Sequence, residues 1–124
     1  MTVKYSDDYL LSGSQKPGHF ILENHFYVTW ERAGHDRVVF KVKKGFETDL
    51  ASIPQVFQMI IPIMGRHRQP AIAHDYCYCG NTDLSKKEAD LLFLDGMKSL
   101  GVGWFRRRIM YWAVRVGGTA HWGK

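Results

Sequence analysis

Three side chains in the stretch from Ala71 to Phe93, AIAHDYCYCGNTDLSKKEADLLF, are of the types that hydrolytic chemistry uses: His74, its neighbour Asp75, and Asp90. An imidazole titrates at about 6.5 in an unperturbed chain, so it can take a proton from water and return it. For that it needs a carboxylate on one ring nitrogen, which fixes the tautomer, aims the other nitrogen at the substrate and stabilises the imidazolium. Asp75 is badly placed to do this, because neighbouring helical residues point about 100° apart. Asp90 is the better partner. It borders the apolar stripe that includes Ala89, Phe93 and Met97, and a carboxylate buried there must be paired or take up a proton. Asp75 is then left to hold a hard cation such as Ca²⁺ through oxygen ligands, with Asp49 as a second ligand.

The same residues have a second reading, as a hydrogen-bonded polar seam that pins two helices in register without catalysis. Asp49 and Ser52, in GFETDLASIP, likewise double as helix caps worth about 1 kcal/mol each. Ser52 otherwise joins the shell around His74, since no nucleophile-elbow pattern surrounds it.

These side chains depend on the elements that carry them. The first 48 residues are β-rich: HFILENHFYVTWER and DRVVFKVKKGF are dense in β-branched and aromatic residues, and AGHD between them makes a hairpin turn. Val38, Phe40 and Val42 alternate, with a break at Val39, against Arg37, Lys41 and Lys43, as in a sheet with one wet face. A short helix is predicted over SIPQVFQMI, ending near Pro62. Pro70 opens the helix bearing His74 and Asp75, and Gly80 ends it. Ser85 and Glu88 form a capping box for the next, with Ala89, Leu92, Phe93, Met97 and Leu100 on its inner face. A last helix runs from Trp104 to Val116. If the two middle helices pack antiparallel, His74 and Asp90 lie about 8 to 9 Å from the turn on either side, at ~1.5 Å per residue, and can bond.

The chain has 124 residues, of which 45% are hydrophobic, enough for one compact domain spanning 1–124. The expected class is α+β: a small antiparallel sheet followed by three to four helices. The longest apolar run, Met59 to Met64, is interrupted by Pro62 and falls short of the roughly 20 residues a transmembrane helix needs. The N-terminus has no basic-then-apolar pattern, so no signal peptide is expected. A net charge of +5 suits weak contact with anionic lipid or an acidic protein, and does not call for sequence-specific nucleic-acid binding. Arg106, Arg107 and Arg108 are the candidates for lipid or anion contact. Trp104 and Trp112 are expected in the core or a subunit contact, and Trp122, after a double glycine, against another chain or a second copy. Cys77 and Cys79 diverge on a helix, which disfavours a bridge between them.

Two family resemblances follow from these motifs. HDYCY followed by KKEADLLFLDGM resembles the secreted phospholipases A2, above all their small prokaryotic branch, although the N-terminal half departs from them in being β-rich. That resemblance implies His74 as the water-activating base, Asp75 as a calcium ligand, and Tyr78 with Asp90 as the groups that hold the imidazole. From about Val38 onward the order GFETDLASIP, AIAHDYCY, EADLLFLDGM resembles a phage and bacterial family catalogued as domain of unknown function 1353. It implies a phage or prophage origin, with the host cytoplasm or the virion as location, and supplies no activity. Two functions from different classes are therefore expected: a His/Asp ester or phospholipid hydrolase, or a non-catalytic virion part of a tail or connector.

Overall fold

The computed structural model describes residues 2–6, 11–13, 15, 20–48 and 69–117. Its fold is α+β, with two small antiparallel sheets in the N-terminal half followed by three helices. The strands are β1 (Thr2–Ser6), β2 (Leu11–Gly13), β3 (Phe20–Leu22), β4 (Phe26–Glu31), β5 (Val38–Val42) and β6 (Glu47–Thr48). The helices are α1 (Gln69–Tyr78), α2 (Lys86–Ser99) and α3 (Trp104–Gly117). The short helix expected over SIPQVFQMI falls outside the described residues, as do Asp49, Ser52 and Trp122.

The expected hairpin is β4 and β5, paired from Phe26 opposite Val42 to Trp30 opposite Val38. Along β4, Phe26, Val28 and Trp30 are buried while Tyr27 and Glu31 are exposed, the period of two that a one-sided sheet requires. β1 completes this sheet on the far side of β4. HFILENHFYVTWER does not form one continuous strand: the chain breaks after Leu22, and β3 pairs with β2 and β6 in the second sheet. The cause is non-local. The Leu22 N–H donates to the Phe46 carbonyl and the Leu22 carbonyl accepts from the Gly45 N–H, partners in the turn after β5, so strand propensity alone could not place this break.

α2 is the central element, packing against β1, α1 and α3. Its start is the capping box: the Glu88 N–H donates to the Ser85 hydroxyl, and the Ser85 N–H donates to the Glu88 carboxylate. Its end is a Schellman turn in which Val102 and Gly101 donate to the carbonyls of Met97 and Lys98, with Gly101 at φ +85°. One side of α2 docks on the first sheet, where the Trp30 indole donates to Asp95 at 2.8 Å and the Val3 N–H donates to the Ser99 hydroxyl at 2.9 Å. Tyr76 ties α1 to the strands, stacked on Phe40 and edge-on to Phe46.

Gly96 lets β1 approach α2 this closely, because a Cβ there would collide with the Tyr5 hydroxyl. That hydroxyl is buried and makes no hydrogen bond among the described residues. A buried, unmet hydroxyl costs about 1 to 3 kcal/mol. Tyr5→Phe is accordingly expected to leave stability unchanged or raise it, and Gly96→Ala to lower it by about 1 to 3 kcal/mol through overpacking. Urea midpoints of the two variants check both signs.

Candidate functional site

The site is built where α1 and α2 cross. α1 ends at Tyr78, and the short connection to Ser85 turns the chain back so that α2 runs against it. The bond that helix heights allowed is present: His74 Nε2 lies 2.8 Å from Asp90 Oδ1. A carboxylate accepts only, so Nε2 is the donor of this bond, and the tautomer it selects has its lone pair on Nδ1. Tyr78, one turn further along α1, donates its hydroxyl to the same Oδ1 at 2.6 Å.

The other oxygen of Asp90 faces two cations. Lys86 Nζ donates to Oδ2 at 3.1 Å, from one turn earlier on α2, and Arg115 Nη1 donates to Oδ2 at 3.1 Å from α3. Four donors thus occupy the roughly four acceptor positions of one carboxylate. Lys86 also donates to the carbonyls of Val114 and Arg115, at 3.4 and 3.2 Å, in the last turn of α3. The last turn of a helix presents carbonyls short of partners, and a cation is favoured at that end. Neither Lys86 nor Arg115 stood out in the sequence as a site residue. Lys86 could have been found as the i−4 neighbour of Asp90, but only the packing of α3 across α2 brings Arg115 near.

Asp90 is fully buried. Burial pushes its carboxyl upward, but hydrogen bonds from His74, Tyr78 and Lys86 and the charge of the site outweigh this and hold it below the ordinary value. The Tyr78 hydroxyl is pushed well above its ordinary range by burial and by its bond to Asp90, so it stays a donor. His74 is 5% exposed, with its ring between Tyr78 at 4.2 Å and Phe93 at 4.8 Å centroid distance.

Asp75 faces another way. Its Oδ2 accepts from the Thr48 hydroxyl at 2.8 Å, tying α1 to β6. This places the residue before Asp49 against Asp75, while no group of three or more His, Cys, Asp or Glu able to hold a metal ion occurs among the described residues. Cys77 is buried and Cys79 exposed, and burial pushes the Cys77 thiol up to about 11. A groove of about 520 Å³ lies elsewhere, between β5 and the α1–α2 connection, lined by residues that include Arg37, Phe40, Asn81 and Glu88.

The three arginines of α3 diverge. Arg107 donates to the Val102 carbonyl at 3.1 Å, whereas Arg106 and Arg108 are exposed. Trp104 and Trp112 are not in the core: each is 60% exposed, because α3 meets α2 through Met110 and Val114 on its opposite side.

Comparison with known proteins agrees with the longer of the two resemblances. Residues 23–114 match the model of a family described as "Protein of unknown function (DUF1353)". An "Uncharacterized protein y4jT" of Sinorhizobium fredii is 35% identical over 79 residues, which cover 62% of this chain and 23% of that protein. The matched part is thus less than a quarter of that relative's length. No solved structure matches. Neither description names a phospholipase, so the phospholipase likeness rests on the local motif alone.

Two measurements check the electrostatics. Removing one partner from a buried ion pair costs about 3 to 5 kcal/mol, and Asp90→Asn should fall near the lower end, because Lys86 and Arg115 keep 18% and 30% side-chain exposure and can recover some hydration. With its folded pKa depressed, Asp90 contributes stability that is present above its unfolded value of about 3.9 and is lost as pH falls through the folded value. Wild type should therefore lose stability below about pH 4, and Asp90→Asn should show a shallower loss over that range in chemical-denaturation curves.

Proposed function

The chain belongs to the DUF1353 family, and within it we propose that this protein is a non-catalytic assembly component, a tail- or connector-associated part of a phage particle, in which His74 and Asp90 form a structural seam. One observation carries this reading: the Asp90 carboxylate is shared by three helices and has its acceptor positions filled by His74, Tyr78, Lys86 and Arg115. In a general-base pair the carboxylate serves the imidazole, compensating the charge that appears on it during reaction. Here two permanent cations already balance Asp90. The imidazole itself is nearly sealed between aromatic rings. Such an arrangement suits register and rigidity, because a buried polar network is stable only when every member is satisfied.

A second reading is favoured by one specific observation. The His74–Asp90 and Tyr78–Asp90 bonds leave Nδ1 as the basic nitrogen, the arrangement a calcium-assisted ester or phospholipid hydrolase would use with Asp75 and Asp49 at the cation. The Thr48 hydroxyl on Asp75 supports this reading, because Asp49 follows Thr48 in the sequence.

Fatty-acid release from phospholipid vesicles, with calcium and with chelator, separates the two. The structural reading expects no release above buffer, a His74→Ala variant that melts lower, and a wild-type melting temperature indifferent to millimolar calcium. Turnover by wild type that His74→Ala abolishes at unchanged melting temperature would establish the hydrolase instead.

A further inference from the structure

α3 carries a second apolar face that the core does not use. Trp104, Phe105, Trp112 and Val116 are 60, 69, 60 and 79% exposed, and Ile109 is 39% exposed. At about 100° per residue these five share an arc of about 140°, on the side away from Met110 and Val114, which pack inward. Scattered exposed hydrophobes need no explanation, but five on one helical face, two of them tryptophan, do.

The charges around that face decide its occupant. The sequence of α3, WFRRRIMYWAVRVG, has four arginines and no acid. Arg106 borders one edge of the arc and Arg108 lies toward the other, its guanidinium 5.6 Å from the Trp104 ring centroid. Both are exposed, and neither forms an ion pair among the described residues. Phe105, Ile109, Trp112 and Val116 also follow the 4-3-4 spacing of a helix-pairing seam. A second copy of α3 laid along it would bring Arg106 and Arg108 of the two copies together, and like charges across a seam oppose pairing. Aromatic and aliphatic side chains flanked by arginine, without acids, instead suit the boundary between lipid headgroups and acyl chains.

We propose that the outer face of α3 docks this protein on an anionic membrane surface, with Phe105, Ile109, Trp112 and Val116 entering the acyl boundary and Arg106 and Arg108 meeting headgroup phosphates. The helix lies in the plane of the interface. No helix among the described residues is long and apolar enough to cross a bilayer. The inference is independent of the seam reading, since it uses the side of α3 that faces away from α2.

Full-length protein mixed with phosphatidylcholine vesicles, with and without phosphatidylglycerol, tests it by co-sedimentation and tryptophan emission. Binding with a blue shift is expected only when phosphatidylglycerol is present, and it should weaken as salt is raised. Arg106→Gln with Arg108→Gln should weaken it about thirtyfold, from the usual contribution of each basic residue near an anionic surface. Phe105→Ser with Trp112→Ser should abolish it, with an unchanged helical circular dichroism spectrum and melting temperature. Equal binding to neutral vesicles, binding that survives these substitutions, or no vesicle binding together with a sedimenting dimer or capture by an acidic helical peptide, would each overturn the proposal.

Discussion

The packing of the three helices depends on neutralising one buried negative charge. Asp90 is withdrawn from water at the meeting point of three helices, and an ionised carboxylate in that position is tolerable only when donors surround it. α1 supplies an imidazole and a phenol, α2 an ammonium one turn away, and α3 a guanidinium. Because each helix contributes to the same two oxygens, none can slide or rotate without leaving a buried group unpaired. The network thereby fixes register, which apolar packing through Ala89, Phe93 and Met97 does not do by itself, since hydrophobic contact is not directional.

α2 serves several surfaces at once, and its residues divide accordingly. Asp90 and Lys86 look to the helices, while Asp95, Gly96 and Ser99 look to the first sheet, where Trp30, Tyr5 and Val3 meet them. The two buried acids have different partners for that reason. Asp95 receives a neutral N–H from an indole, whereas Asp90 gathers formal charges. A helix so committed has little freedom to move, which suits a scaffold more than a lid.

α3 is held differently. It touches α2 through a narrow strip around Met110 and Val114, and Lys86 and Arg115 fasten its C-terminal turn. Its inner edge belongs to the polar network and its outer face is apolar and basic. The interior thus fixes which way that outer face points, so the polar network has a consequence at the surface.

Much of this was legible in the residues alone, wherever the causes are local. The capping box at Ser85 and Glu88, the stop at Gly80, the β4–β5 hairpin and the step from strands to helices all follow from neighbours within a few positions. The closeness of His74 and Asp90 was accessible too, because a short connection and a fixed helical rise set both at similar heights. The break after Leu22, the arrival of Arg115 at Asp90 and the outward turn of Trp104 and Trp112 were not. Periodicity shows that a helix has an apolar face, yet α3 has apolar residues on two sides, and only contact with α2 selects which is buried. The composition of a chain sets how much surface must be hidden, and the tertiary arrangement decides which surface that is, since burial depends on what a neighbouring element brings against it.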